Sequence, residues 1–466
     1  EQMWDESFWQ GWYQDFQSHA INLQRRPDDH VEIGAPPIKT EHGWLLLYSY
    51  IQNYFVEEKR LFTVEGVLLD LENPQKIVAR TESPLLVPEE YYEKMGLISD
   101  VVFPSGVIRH DGKLHLYYGA ADTTWCVAFL DEEMLVDRMV NSDELTRAKR
   151  AENNPILVAK SENEWEAGLV FNPAAIYLDG AFHIVYRAMS KDNTSYMGYA
   201  RSKDGVSIDY RADKPIYVPR IPLEEKRVPN GNSGCEDPRL TVIDDTIYMF
   251  YTAYNGVEVP RVALSSISVE NFLAEKWEWS EPVIISPPGV DDKDACVFPE
   301  KIDGRYVIIH RVGHDIDLAY ADDMDFNKCA WDEQGCTWLE EYRWITPRRG
   351  MWDDLKVGVA APPIKTEDGW VLFYHGVSSE DRFYRVGACL LDLNDPSKIL
   401  ARLDQPVFEP EEDYELRGEV PNVVFPCGAV LKDGLFYLYY GGADEVVGVA
   451  TVEKDDLMES LKFYHI

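Results

Sequence analysis

The sequence is short of positive charge, poor in helical periodicity and free of long apolar runs, and each shortage removes a class of function. Only 45 lysines and arginines stand against 82 aspartates and glutamates, a formal charge of −37. That field repels nucleic-acid phosphates and anionic membrane surfaces, so neither is expected as a partner. No stretch approaches the roughly 18 apolar residues that span a bilayer, so no membrane segment is expected. The seven cysteines (Cys126, Cys235, Cys296, Cys329, Cys336, Cys389 and Cys427) are odd in number and contain no CxxC spacing. They read as buried thiols of a reducing compartment, which places the chain in the cytoplasm. No Walker loop, GxGxxG or GxSxG motif occurs. The acidic runs Asp291 to Asp294 and His314 to Asp317 lack the ligand spacing of a metal site, so neither metal nor cofactor is expected.

What the chain does have is aromatic residues and repetition. Its 27 tyrosines, 18 phenylalanines and 13 tryptophans favour strands and sugar-stacking surfaces. APPIKTEHGW from Ala35 to Trp44 returns as APPIKTEDGW from Ala361 to Trp370, and FPSG at Phe103 to Gly106 returns as FPCG at Phe425 to Gly428. YYGAAD ending at Asp122 likewise returns as YYGGAD ending at Asp444, with a four-residue insertion in the first copy after Tyr48. Between the copies lie three segments of related type, Ala174 to Arg187, Leu240 to Tyr254 and Phe298 to Arg311. Each is an apolar strand, a D-G or D-D turn and an alternating aromatic strand, the pattern of a β-hairpin.

A hairpin about every 60 residues suits one four-stranded propeller blade each. The expected fold is therefore all-β: a five-bladed β-propeller over residues 161–466, preceded by a duplicated two-blade unit at 31–135. The alternative is a single ring of seven modules. Residues 1–30 form an unassigned N-terminal segment, and helical spacing from Asp131 to Ala151 marks a helical linker placed at 136–160.

The densest polar constellation is NSGCEDPR, Asn232 to Arg239. Glycosyl transfer needs a carboxylic acid to protonate the leaving oxygen, and Glu236 and Asp237 both qualify, with Arg239 beside them as a substrate-binding residue. Asn172, Arg187, His310, Arg311, Lys356, His375 and Asp444 stand at equivalent points of their modules, beside an aromatic strand. A propeller brings the same edge of every blade to one funnel, so these residues are expected to converge. In the N-terminal copy Lys356 and His375 are replaced by His30 and Ser49 while the fold-making pattern persists, so that unit is expected to lack a site.

With FNPAAI, CEDPRL, KDACVFPEKIDGRYVIIHR, APPIKTEDGWVLFYHGV and FPCG followed by YYGGAD, residues 155–466 resemble glycoside hydrolase family 130. That family comprises five-bladed propellers that are β-mannoside phosphorylases and, less often, β-mannosidases. The resemblance implies Asp237 as catalytic acid, acting through a hydroxyl of the mannose. It implies Asn172, Arg187 and Asp444 as sugar-binding residues, and Arg311, Lys356 and His375 as the holders of phosphate. Lys293 and Asp294 depart from the arginine and asparagine common in the phosphorylases.

The function expected is inverting phosphorolysis of β-mannosidic bonds in manno-oligosaccharides, releasing α-mannose 1-phosphate, with inorganic phosphate as co-substrate. Phosphate needs only cationic positioning, whereas hydrolysis needs a second carboxylate to activate water. An inverting β-mannosidase with Glu236 as base, and a non-catalytic glycan-binding propeller, are the alternatives. A homo-oligomer is open, and the Trp-rich stretch from Asn327 to Met351 is either a cover for the acceptor sugar or a packing loop.

Overall fold

The structure, a computed structural model, describes residues 4–141, 147–324, 326 and 342–463. The chain divides into two compact units, Glu1–Leu145 with Arg349–Met351, and Thr146–Arg348 with Trp352–Ile466.

The larger unit is a five-bladed β-propeller. Its hairpins turn where expected: Asp179-Gly180, Asp303-Gly304 and Asp433-Gly434 all take positive φ at both residues, the geometry that matches the twist of the flanking strands. Blade one runs through Leu169–Leu178, Ala181–Met189, Thr194–Ser202 and Ile208–Arg211. Blade two holds Ser233–Ile243, Thr246–Tyr254, Arg261–Ser268 and Val283–Ile284. A short parallel bridge from Thr194 and Ser195 to Ser233 and Gly234 joins these two blades into one sheet. Blade three is Asp292–Val297, Tyr306–Val312, Asp315–Ala321 and Tyr342–Ile345. Blade four contains Lys356–Val359, Trp370–Val377, Tyr384–Leu391 and Ile399–Arg402, with Ile364–Lys365 alongside.

Blade five takes Val424–Lys432, Leu435–Gly442 and Val446–Glu453 from the end of the chain, and its fourth strand, Lys149–Arg150, from the start of the unit. Arg150 fastens this closure. Its guanidinium bonds both carboxylate oxygens of the fully buried Glu415 at 2.8 and 2.7 Å and the Glu409 carbonyl at 2.6 Å.

The core lies between blades, because each sheet is apolar on both faces. Val185 and Met197 meet Met249 and Tyr251 between blades one and two. Phe250 and Leu264 meet Val297 and Ile308 between two and three. Ile309 and Ile316 meet Trp370 and Leu372 between three and four, and Phe373 and Val386 meet Phe436 and Leu438 between four and five. Tyr439 and Val449 then return to Phe182 and Ile184 of blade one. Each such side chain stabilises by about 1.5–3 kcal/mol. The five blades thus close on one another, which excludes the seven-module ring.

The smaller unit holds one sheet built on Trp44–Gln52, Leu61–Leu69 and Ile77–Arg80, edged by His30–Glu32 and Ile38–Lys39. A second sheet has only three strands, Val102–His110, Lys113–Ala120 and Thr124–Asp131. The duplication extends to polar detail: Glu93 accepts a 2.7 Å bond from Tyr118, as Glu415 does from Tyr440, and both glutamates close a capping box. The expected linker helix is shorter and earlier than its spacing suggested. It spans Glu132–Val140, capped by the Asp131 side chain, and Lys149–Arg150 is recruited into blade five instead. The N-terminal segment contains the helices Glu6–Gln14 and Phe16–His19, then seats Leu23 on the first sheet.

Removing the Arg150 charge strands a buried carboxylate, and losing one partner of a buried pair costs about 3–5 kcal/mol. Arg150→Met is expected to lower the unfolding free energy of the propeller by that amount, read as an earlier midpoint in urea.

Candidate active site

The first strands of the blades lie against one another; a bulge in Val424–Lys432 holds Cys427, and on three of the others a bulge holds a polar residue at positive φ. The register shifts between Phe171 and Ala174, between Glu236 and Arg239, and between Lys293 and Cys296. The residue inside each bulge, Asn172, Asp237 or Asp294, has φ of +46°, +50° or +54°. Asparagine and aspartate tolerate this left-handed conformation better than other L-residues. A bulge re-aims a side chain without ending the strand. Sequence reasoning found two of these three residues as site candidates and Asp294 only as a departure from the family.

Two clusters of opposite character result. In the first, Asn172 Nδ2 donates to Asp237 Oδ1 at 2.9 Å. Arg187 donates to the same oxygen at 3.1 Å, to Glu236 Oε1 at 2.8 Å and to Ser195 Oγ at 3.0 Å. Desolvation raises the Asp444 carboxyl to about 7, helped by repulsion from Asp237 and Glu236 and opposed by Arg187. Desolvation and the Asp237 charge also raise Glu236 against the pull of Arg187. Three carboxylates around one guanidinium cannot all ionise cheaply, so the cluster retains a proton near neutral pH.

The second cluster is cationic. Arg311 Nε lies 2.5 Å from Asp294 Oδ2, and Lys356 Nζ donates to the Tyr384 hydroxyl at 2.6 Å. Burial opposes ionisation of Asp294, but Arg311 and Arg239 outweigh it and hold this carboxyl far below the usual range. Desolvation, then Arg311, brings Lys356 down to about 8. His375 is fully buried and both its ring nitrogens lack a hydrogen-bond partner. Its ring packs against Phe425 at 4.6 Å and Tyr384 at 5.8 Å between centroids.

The sequence-based expectations need two corrections. His375 is not a cation, because burial and then the nearby Lys356 and Arg311 charges hold its pKa well below the ordinary value; it offers a neutral ring. Arg239 is not presented to a substrate. It is almost wholly buried, and its guanidinium is spent on the carbonyls of Ala360, Asp237 and Val359 at 3.1, 3.0 and 2.8 Å and on Asp294 at 3.4 Å.

Asn172, Arg187, Glu236, Asp237 and Asp444 are brought together, and so are Arg311, Lys356 and His375. Sequence reasoning missed Tyr384, which opens a strand with no motif around it, and Ser195. His310 pairs with Asp292 at 2.9 Å behind the site. Residues 327–341 of the Trp-rich stretch lie outside the described residues.

Comparison with known proteins agrees with the fold. The family profile described as beta-1,4-mannooligosaccharide phosphorylase matches residues 5–142 and 141–463, so both copies carry it. The chain is 40% identical over 320 residues to a 1,2-beta-oligomannan phosphorylase of Thermoanaerobacter sp. (strain X514), covering 67% of this chain and 99% of the relative. A beta-1,2-mannobiose phosphorylase of the same organism is 41% identical over 322 residues, covering 66% and 98%. The solved beta-1,2-mannobiose phosphorylase of Listeria innocua, in complex with beta-1,2-mannobiose, superposes with a TM-score of 0.54 at 26% identity, covering 68% and 99%.

Gly441 faces the Asn172 amide so closely that a Cβ there would fall 2.1 Å from Asn172 Oδ1. Gly441→Ala is expected to push Asn172 off Asp237 and lower kcat by about a hundredfold, the cost of a misplacement of about 1 Å. The melting temperature should fall far less than the rate.

Proposed function

The chain belongs to glycoside hydrolase family 130 as a mannoside phosphorylase, and on that premise we propose that it cleaves β-1,2-linked manno-oligosaccharides by inverting phosphorolysis. A phosphate oxygen attacks the anomeric carbon from the face opposite the leaving group. The C–O bond to the acceptor sugar breaks, and a proton from the carboxylate cluster passes to the departing oxygen, Asp237 being the residue presented to the sugar. The products are α-mannose 1-phosphate and a shortened mannoside. Asn172, Arg187 and Asp444 hold the mannose. Arg311 and Lys356 hold phosphate by charge, and His375 holds it as a neutral hydrogen-bonding ring.

The observation that carries this reading is the division of charge. A carboxylate-rich cluster around Arg187 and a cation-rich cluster around Asp294 stand apart, and Glu236, the carboxylate that would serve a hydrolase as base, is already engaged. Glu236 is bound to Arg187 and Asp294 to Arg311. Phosphate arrives as a formed anion and needs only the cations. The β-1,2 linkage is supported by the two Thermoanaerobacter relatives.

Incubation with β-1,2- and β-1,4-mannobiose, with and without phosphate, tests the reaction. Mannose 1-phosphate should accumulate from the β-1,2 substrate only when phosphate is present, and Asp237→Asn should stop it. Release of free mannose independent of phosphate would make the protein a mannosidase.

Lys356 supplies a second test. A charge-assisted contact contributes about 1.5–3 kcal/mol, so Lys356→Ala is expected to raise the KM for phosphate about tenfold to a hundredfold while the KM for mannobiose stays near its original value. Lys356 carries its charge below its pKa of about 8. Phosphate affinity of the wild type should therefore fall as pH rises through 8, and this step should be missing from the variant.

A further inference from the structure

The two copies of the repeat differ most in what covers one sheet face. In the three-stranded sheet of the smaller unit, Trp125, Val127 and Phe129 project from one side of the edge strand, and Tyr117, His115 and Ile108 continue that side across the neighbouring strands. Trp125 is 92% exposed, Phe129 59% and Ile108 52%. In the propeller the same positions are Val447, Thr451 and Val430, and with Tyr437, Tyr439 and Val449 they form a face of blade five. There Val447, Tyr439 and Val449 are fully buried against Ala175, Phe182 and Ile184 of blade one. The architecture thus records what this kind of face packs on: the face of another blade.

Among the described residues every other blade face is already taken. The five propeller blades cover one another in a closed ring. The outer face of the first sheet in the smaller unit is covered by the chain's own Ile21 and Leu23. We propose that the open face, Ile108, His115, Tyr117, Trp125, Val127 and Phe129, is a dimer interface that packs on the same face of a second copy of this chain. The pairing is isologous, each copy contributing one patch to both sides of a two-fold axis.

Size and charge fit that occupant. The five apolar side chains offer on the order of 500 Å², most of the roughly 800 Å² per partner of a standard interface. Ile108, His115, Tyr117, Trp125, Val127 and Phe129 include no carboxylate, and Asp131, which ends that side of the edge strand, lies opposite Lys113, which matters for two chains of charge −37 that repel elsewhere. A patch of this extent is about the size of the largest one on a typical monomer, and such patches are often functional.

Sedimentation of the full chain across a range of micromolar concentrations tests the proposal. The wild type is expected at twice the chain mass. The pair Trp125→Glu with Phe129→Glu is expected at the mass of one chain over at least a tenfold range of concentration, with its rate on mannobiose per chain unchanged. If that pair loses its circular dichroism signal, Trp125→Gln with Phe129→Gln replaces it and is expected to weaken association about tenfold or more. A wild type that remains a single chain throughout overturns the interface. So does an oligomer whose mass neither pair of substitutions reduces.

Discussion

One buried guanidinium holds the centre of the propeller. Arg239 rises from blade two, bonds the carbonyls of Val359 and Ala360 at the innermost strand of blade four, and lies 3.4 Å from Asp294 of blade three. It also returns to the carbonyl of Asp237, the bulged residue two positions before it. A cation without water must be met by partners at every donor or it costs several kcal/mol, so these strands have little freedom to shift. The backbone that aims Asp237 is fixed by the same contacts that fix Asp294, and Asp294 in turn orients Arg311.

The two functional clusters are therefore built on shared supports but kept apart in charge. On the acidic side, one arginine bonds two carboxylates and lies near a third, Asp444, whose carboxyl is raised to about 7. On the basic side, Asp294 neutralises part of the Arg311 charge and leaves Lys356 as a cation that titrates at about 8. Burial first, and then the nearby Lys356 and Arg311 charges, explain the neutral His375: a third positive charge there is too costly. Gly358 makes room for that ring, since a Cβ there would meet His375 at 2.3 Å.

The smaller unit shows which parts of the repeat are architecture. Asp122 and Ala121 keep the left-handed φ of Asp444 and Ala443, and Glu93 keeps the hydrogen bond of Glu415. The residues at the Lys356, His375 and Tyr384 positions are His30, Ser49 and Phe62. Backbone geometry is shared between the copies where these polar residues differ, because turns and caps stabilise either fold whatever those side chains are.

The amino-acid sequence by itself determined the Asp-Gly hairpins, the alternation of apolar and aromatic residues that makes each blade, the duplication, and the set of polar residues at strand ends. These are local matters of period and turn chemistry, and they were enough to identify the five blades and to single out polar residues that the fold brings together. Tertiary structure alone decided how the ring closes, because Lys149 and Arg150 pair with a strand some 300 residues away. It also decided that Arg239 is a brace, that His375 is neutral, and that Tyr384 stands with Lys356. A side chain's charge and its partner depend on what surrounds it after folding, and in a propeller those surroundings come from other blades, beyond the reach of any local pattern.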